Sequence, residues 1–111
     1  MTKFMVLYRS ALSARDQMAS ATPEQAKAGM EAWMAWAGKA GDAIVDLGAP
    51  LEGAAQIGAG AASPGQVQIT GYSILQAESA DALTSLLDAH PHLQMPGSSI
   101  EVLEFLPTPG T

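Results

Sequence analysis

Residues 3–9, KFMVLYR, form a strand-length run of residues that favour β-structure, and this run constrains the fold more than any other. Alternate side chains of a strand point to opposite faces of its sheet. One face of this run carries Phe4, Val6 and Tyr8, and the other carries Met5 and Leu7. Because both faces are apolar, the strand is predicted to lie inside a sheet with packed material on each side.

The next regular element that the sequence predicts is a long helix. Thr22 can cap this helix, Pro23 suits its first position and Gln25 completes a capping box. Apolar residues then recur at helical spacing as far as about Leu47, and Gly48 is a helix stop. The predicted apolar stripe comprises Ala26, Met30, Trp33, Met34, Ala37, Ile44 and Val45.

The segments on either side of this helix are rich in small and polar residues. Residues 10–22 are predicted to form a loop. Residues 50–65, PLEGAAQIGAGAASPG, are predicted to be irregular, with a short strand around 53–59 and a turn at SPG. The glycines of this segment match neither the GxxxxGK[ST] phosphate loop nor the GxGxxG dinucleotide pattern. We therefore expect no cofactor.

Residues 66–77, QVQITGYSILQA, alternate in the way that a half-buried strand does. One face is predicted to carry Val67, Ile69 and Leu75, with Gly71 between them. The other face is predicted to carry Gln66, Gln68, Thr70, Tyr72, Ile74 and Gln76. Because this second face combines amides with a tyrosine and an isoleucine, it suits a semi-polar cavity or a partner surface better than open water.

A second helix and a last strand complete the predicted order of elements. Ser79 can cap the helix, Pro91 ends it, and residues 98–106 form the strand. The buried stripe of the helix comprises Ala82, Leu83, Leu86, Leu87 and His90. The order β-α-β-β-α-β predicts one α+β domain over residues 1–111, with a ferredoxin-like antiparallel sheet and two helices on one face. The other face needs a partner, and a second copy packed sheet to sheet is the simplest one.

The composition favours self-association and argues against nucleic acid and membrane partners. Hydrophobic residues make up 48% of the 111 residues and charged residues 14%, so a monomer would expose an unusually apolar surface. The net charge of −6, with five basic residues, would repel a phosphate backbone or an anionic membrane. The sequence has no cysteine, no secretory leader and no run of ~20 apolar residues, so we expect a cytoplasmic protein.

Three stretches give the chain a resemblance to a known family. They are KFMVLYRS at the start, GAPL after the long helix and HPHLQMPGSSIEVLEF near the end. In their order and spacing, over nearly the whole chain, they resemble the YCII-related family of dimeric α+β barrel proteins. The resemblance implies a ferredoxin-like protomer and a homodimer built on facing sheets. It also implies a cleft near the sheet edge, at the end of the second helix.

The resemblance also draws attention to a His/Asp pair that some members of the family are proposed to use in this cleft. In those members the histidine lies on the first helix, and the aspartate stands just before a proline after the second helix. This chain has Ala32 or Trp33 at the first position and His90 at the second, so the pair is absent. The DGPF signature of another branch is replaced by AASPGQVQ. The resemblance therefore implies a fold more than a reaction.

The stretch HPHLQMPG, residues 90–97, contains both histidines of the chain. His90 and His92 could bind a metal with nearby carboxylates, but no metal motif such as HExxH is present, and we expect no native metal. As a catalytic acid/base, His90 could act with His92 or Asp88, because histidine titrates near neutral pH. The alternative is structural: His90 would bind the last carbonyls of the second helix and stabilise its dipole.

Four further side chains are candidate ligand contacts. Arg9 ends the first strand, where its guanidinium could bind a carboxylate or form a surface salt bridge. Tyr8 and Tyr72 offer a ring and a hydroxyl to a small-molecule pocket, or they pack in a dimer interface. Gln94 adds an amide beside the histidines.

Three functions remain open on the sequence. The first is binding of a small polar metabolite in a cleft between sheet and helix ends, with Arg9, Tyr72 and His90 as contacts. The second is a cofactor-free enzyme that uses His90 as general acid/base, and the third is a structural or interaction module. The absence of a nucleophile motif such as GxSxG, and of the family pair, favours the first over the second. The polar and aromatic face of residues 66–76 favours both over the third.

Overall fold

The structure, a computed structural model, describes residues 1–58 and 67–109. Its strands are β1 (Thr2–Ser10), β2 (Ile44–Pro50), β3 (Gln68–Ala77) and β4 (Ser99–Glu104). Its helices are α1 (Ala14–Ser20), α2 (Pro23–Ala40) and α3 (Ala80–Leu87), and 3₁₀ turns span Gly41–Ala43 and Pro91–Gln94. Within these two described ranges, no helix is long and apolar enough to cross a membrane.

The four strands form one antiparallel sheet in the order β2-β3-β1-β4. Together with the three helices, this order gives an α+β architecture compatible with a ferredoxin-like fold. β1 lies between β3 and β4, which confirms the prediction of an internal strand. It pairs with β4 without interruption, from Phe4 opposite Glu104 to Arg9 opposite Ser99. The two edges of the sheet are therefore β2 and β4.

The hydrophobic core lies between one face of the sheet and the helices α2 and α3. Phe4, Val6 and Tyr8 of β1 are at most 2% exposed, as the alternation along that strand predicts. They pack with Leu75 of β3 and with Trp36, Leu83 and Leu87 of the helices. The indole N–H of Trp36 donates to the Leu86 carbonyl at 3.2 Å, which ties α2 to the end of α3.

The long helix begins as predicted but ends earlier. The Thr22 hydroxyl accepts from the backbone N–H of Gln25, and the Gln25 side chain accepts from the backbone N–H of Thr22, so the predicted capping box is confirmed. The helix ends at Ala40 because Gly41 adopts a φ of +53°, outside the helical region. The prediction that the helix reaches Leu47 is therefore wrong.

The residues predicted to continue this helix form an edge strand instead. Ile44 and Val45 begin β2, which pairs with β3, because β-branched side chains fit a pleated surface at least as well as a helix. Residues 53–58, predicted to include a short strand, have no regular structure, so that prediction is wrong for them. Residue 59 and the predicted turn at 63–65 lie outside the described residues.

Two further predictions for the helical part of the chain are corrected. Residues 10–22, predicted to form a loop, contain α1, whose N-terminus is capped by the Ser13 hydroxyl. The polar composition of this short helix conceals its periodicity. Met30 and Met34, predicted to be buried, are 63% and 51% exposed. The part of α2 that packs against the core begins at Trp33.

β3 contains a bulge that decides which of its side chains share a face. The register against β1 shifts between Tyr8 and Arg9, so that Thr70 is an extra residue on β3. The bulge places Ile69 opposite Arg9, on the other face from Leu75, and the prediction that Ile69 and Leu75 share a face is wrong. Thr70, predicted on the polar face, is buried, and its hydroxyl donates to the Tyr8 carbonyl at 3.2 Å.

The second face of the sheet, which we call the open face, lies opposite the core. It is formed by Met5, Leu7 and Arg9 of β1, Ile69, Tyr72 and Ile74 of β3, and Glu101 and Leu103 of β4. Ile69 and Leu103 are 41% and 44% exposed, and the other members are partly shielded by their neighbours. The molecule measures only 19 Å along its shortest axis, as expected for one sheet and one layer of helices. The open face is predominantly apolar.

Candidate functional site

The two histidines lie where α3 has ended and the chain turns toward β4. His90 caps the second 3₁₀ turn, and the residue is 1% exposed. Ring centroids lie 4.9 Å away for Tyr8, 4.4 Å for Trp33 and 4.3 Å for Trp36. We call Tyr8, Trp33, Trp36, His90 and His92 the aromatic cluster. With both histidines buried, this cluster is part of the core rather than the wall of an open cleft.

The hydrogen bonds of His90 define its tautomer. Nδ1 accepts the backbone N–H of His92 at 3.0 Å, so the neutral ring carries its proton on Nε2. Nε2 is buried and has no hydrogen-bond partner among the described residues. Burial, and secondarily the nearby His92, lowers the pKa of His90 from 6.5 to about 4. The ring is therefore neutral at neutral pH, and its surroundings are aromatic rather than aqueous.

His92 connects the turn to two strands. Its Nε2 lies 2.9 Å from the Arg9 carbonyl oxygen and 3.1 Å from the Ser99 carbonyl oxygen. Both oxygens are acceptors, so Nε2 carries the proton and donates to them. The Ser98 hydroxyl lies 2.6 Å from the His92 carbonyl oxygen and 2.5 Å from the Met95 carbonyl oxygen, so its one proton is shared between these two acceptors. Through these hydrogen bonds His92 links the second 3₁₀ turn to the adjacent ends of β1 and β4.

The cluster has the geometry of a structural element. His90 has almost no contact with solvent, and Asp88, predicted to assist it, is exposed at the C-terminus of α3. The structure describes no hydrogen bond or ion pair between Asp88 and either histidine. The His90 ring does not bind the last carbonyls of the helix as predicted, because it caps the following turn, and only the backbone N–H of His90 donates to the Leu87 carbonyl, at 3.0 Å. A neutral ring also adds no charge to the helix dipole.

Tyr8, a predicted ligand contact, lies in the core beneath the helices. Its hydroxyl is 2.8 Å from the Ser73 hydroxyl, which donates to the Leu47 carbonyl at 2.6 Å. Because Ser73 has one proton to donate, Tyr8 is the donor to Ser73. Burial raises the pKa of Tyr8, which keeps the phenol protonated. These bonds link β1, β3 and β2, so Tyr8 stabilises the sheet and lies on the opposite side from Tyr72.

The open face carries two polar pairs within its apolar surface. Arg9 and Glu101 form an ion pair, with 36% and 41% of their side chains exposed. The Tyr72 hydroxyl donates to the Asp46 carboxylate at 3.2 Å, and the negative charge of Asp46 raises the pKa of Tyr72. Tyr72 and Glu101 lie opposite Leu7 on its two sides. The structure thus brings the predicted contacts Arg9 and Tyr72 to one face and separates them from the histidines.

A groove of about 250 Å³ lies between α3 and the free edge of β4. Its apolar residues are Leu87, Leu93, Ile100 and Val102, and Asp88 and three serine or threonine residues complete the lining. The groove occupies the place, at the end of the second predicted helix, where the family resemblance implies a cleft. Among the predicted site residues, Asp88 alone lines the described groove, and Gln94 is exposed on the 3₁₀ turn nearby.

The partners of the predicted site residues escaped sequence reasoning. Glu101 could have been placed beside Arg9 by strand alternation only if the register of β4 were known. Asp46, the partner of Tyr72, was hidden in a segment predicted to be helical. Ser73 carried no signal, because a serine in a strand gives no indication of the group that it contacts.

Within residues 1–58 and 67–109, no group of three or more histidine, aspartate or glutamate side chains could hold a metal ion. Neither a protein-family model, nor a curated protein, nor a solved structure matches this chain. Any function must therefore be inferred from the geometry of the open face, the aromatic cluster and the groove.

Proposed function

We propose that this chain is a YCII-related protein that forms a homodimer through its open faces and binds a small polar metabolite between them. Arg9 and Tyr72 are the proposed ligand contacts, and a carboxylate is the group that Arg9 would bind. The observation that carries the proposal is the open face itself, an apolar sheet surface into which the Arg9–Glu101 and Tyr72–Asp46 pairs are set.

The size of the open face supports self-association. Four strands about 4.8 Å apart, with six to ten residues at about 3.3 Å each, give a face of roughly 400–600 Å². Two such faces would bury about 1,000 Å², the lower limit expected for a stable protein interface. Their apolar side chains, among them Met5, Leu7 and Ile74, would leave water on association.

The polar pairs favour a ligand over packing alone. An ion pair buried between two apolar faces is costly unless its remaining donors and acceptors find partners. Arg9 donates to Glu101 through Nη1, which leaves further guanidinium N–H groups for a second acceptor. A carboxylate suits them, because arginine binds carboxylates in a bidentate geometry. Tyr72 offers a ring and a hydroxyl on the neighbouring strand.

The unpartnered Nε2 of His90 favours a second candidate function, a cofactor-free enzyme with His90 as general acid/base. Burial of the ring counts against this candidate, because a substrate would have to open the aromatic cluster to reach Nε2. A structural or interaction module is the third candidate, and it would apply if the dimer forms and no ligand binds.

Native mass spectrometry of freshly purified protein tests the dimer and the ligand together. A dimer that carries extra mass of a small molecule would support both parts of the proposal. A bare dimer would support self-association alone, and a thermal-shift screen of small carboxylates would then decide the ligand part. A monomer would refute the packing of open faces.

Two substitutions test whether the open face is the interface. Tyr72→Asp should convert the dimer to a monomer, because it would bury a carboxylate beside Asp46. Met34→Asp is the matched control, since Met34 is 51% exposed on α2 and the same charge there should leave the mass unchanged. A dimer that survives Tyr72→Asp would place the interface elsewhere.

A second pair of substitutions tests the ligand contact. Arg9→Met should weaken binding of the ligand at least about tenfold, because it removes a charged hydrogen-bond donor from a desolvated site. Arg15→Met removes the same charge from an exposed position on α1 and should leave the affinity unchanged. Equal affinities for wild type and Arg9→Met would exclude Arg9 as a contact.

A further inference from the structure

β4 is an edge strand whose outward backbone groups have no partner in the described part of the chain. The Phe105 N–H donates to the Lys3 carbonyl at 3.0 Å, which makes these two residues a hydrogen-bonded pair. Along an antiparallel ladder, hydrogen-bonded and non-hydrogen-bonded pairs alternate. Ile100, Val102 and Glu104 belong to the non-hydrogen-bonded pairs, so their N–H and C=O groups point away from β1.

The two edges of the sheet differ in their protection against an added strand. β2 shows two register shifts against β3, contains Gly48 with a φ of +89° and ends at Pro50. Irregular pairing and proline are common means of blocking an exposed edge. β4 pairs with β1 over six consecutive residues without a shift, and its sequence SIEVLE contains neither proline nor glycine. The edge of β4 is therefore the one that can accept another strand.

An added strand would lie over the groove between β4 and α3. Ile100 and Val102 line the groove from the strand, and Leu87 and Leu93 line it from the opposite side. Alternate side chains of an added strand point to the same side, so every second one would enter the groove. The volume of about 250 Å³ is below the range of about 300–1,000 Å³ that is usual for small-molecule pockets. It suits individual side chains better than a whole buried metabolite.

The charge around the groove favours a cationic partner. Asp88 is the ionisable residue in its described lining, and it lies at the C-terminus of α3, where the helix dipole is negative. Glu104 adds a negative charge on the same edge strand. The basic residues Lys3, Arg9, Arg15, Lys27 and Lys39 lie outside the lining. A basic peptide therefore matches the charge of this edge better than the equivalent acidic edge of a second copy would.

We propose that the edge of β4 and the adjacent groove bind an extended peptide of another protein, which adds to the sheet as a fifth strand. About five residues of the peptide would pair with the outward groups of residues 100–104. Alternate apolar side chains of the peptide enter the groove, and a lysine or arginine lies near Asp88. The edge is separate from the open face, so peptide binding and the proposed dimer are compatible and can fail independently.

A phage-displayed library of random peptides of about eight residues, selected on the immobilised full chain, tests this proposal. The enriched peptides should alternate apolar residues and contain lysine or arginine. A synthetic copy of an enriched peptide should bind Asp88→Lys about fivefold more weakly than wild type at low salt. Asp42→Lys is the matched control, because Asp42 is exposed in the first 3₁₀ turn, before the other edge strand, and its reversal should not change the affinity.

Hydrogen exchange locates the bound peptide. The bound peptide should slow the exchange of the Ile100 and Val102 amides. A peptide N-methylated at its pairing positions should not bind, because it lacks the N–H groups that pair with β4. Val102→Pro removes an outward N–H that the β1 ladder does not use, so it should abolish binding while circular dichroism stays native.

Three outcomes would overturn the proposal. The first is a selection that enriches no peptide, or only acidic ones. The second is protection that lies away from β4. The third is a doubled mass that Val102→Pro abolishes and Tyr72→Asp does not, because this would assign the edge to a second copy of the chain.

Discussion

The buried, neutral ring of His90 should make the protein less stable as the pH falls below neutrality. In the unfolded chain the ring titrates near pH 6.5, whereas burial lowers its pKa to about 4 in the folded protein. Between these values the unfolded state binds a proton that the folded state does not, so acid favours unfolding. The difference corresponds to about 3 kcal/mol lost below pH 4, of which about 2 kcal/mol is already lost at pH 5.

Urea unfolding at about pH 7.5 and about pH 5, at one protein concentration, measures this loss against a variant without the titrating group. His90→Phe keeps a ring of similar size but cannot bind a proton. It also leaves the His92 N–H without its acceptor, so it should be about 1–3 kcal/mol less stable than wild type at the higher pH. Its stability should then change about 2 kcal/mol less than that of wild type on going to pH 5. His92→Gln retains His90 and should keep most of the pH-dependent loss, because burial is the main cause of the lowered pKa of His90.

Parallel pH profiles for wild type and His90→Phe would refute this reasoning. They would mean that the folded protein protonates His90 as readily as the unfolded chain does. An NMR titration of the His90 ring gives an independent measurement, with an expected midpoint of about 4. A midpoint near the usual value for histidine would show that the aromatic cluster opens. It would then favour the candidate function in which His90 acts as a general acid/base.

Four further substitutions probe the backbone and the packing of the fold. Gly48→Ala should cost at least about 3 kcal/mol in thermal unfolding, because a Cβ there would lie 1.6 Å from the Tyr72 carbonyl oxygen on a backbone with φ of +89°. Gly38→Ala, where a Cβ meets nothing within 4 Å on α2, should instead stabilise the protein by up to about 1 kcal/mol, and reversed signs would contradict the assigned backbone. Ser73→Ala should cost about 1–3 kcal/mol, because it leaves the Tyr8 hydroxyl without its acceptor in the core. Adding Tyr8→Phe should restore part of that loss in a double-mutant cycle, and strict additivity would exclude the hydrogen bond.

The parts of the fold that local pattern controls could be predicted from the sequence. The caps at Thr22 and Ser79 and the internal position of β1 are confirmed. The end of α2 before Gly41 could not be predicted from the sequence. Ile44 continues the helical spacing of apolar residues, and it is equally suited to begin a strand. Pairing with β3 decides between these two, and pairing is a long-range property. The bulge at Thr70 escaped prediction for the same reason, since it exists only relative to β1.

The candidate site shows how much depends on that bulge. Adjacent residues of a strand point to opposite faces, so the sequence alone could have shown that Tyr8 and Arg9 do not share a pocket. Without the bulge, the register that pairs Tyr8 with Gly71 would place polar Thr70 opposite Arg9. The shift instead buries Thr70 and places Ile69 opposite Arg9, and the described partner of the Arg9 guanidinium is Glu101 of β4. A cation with free donors on an apolar face is what the proposed dimer and its carboxylate ligand require.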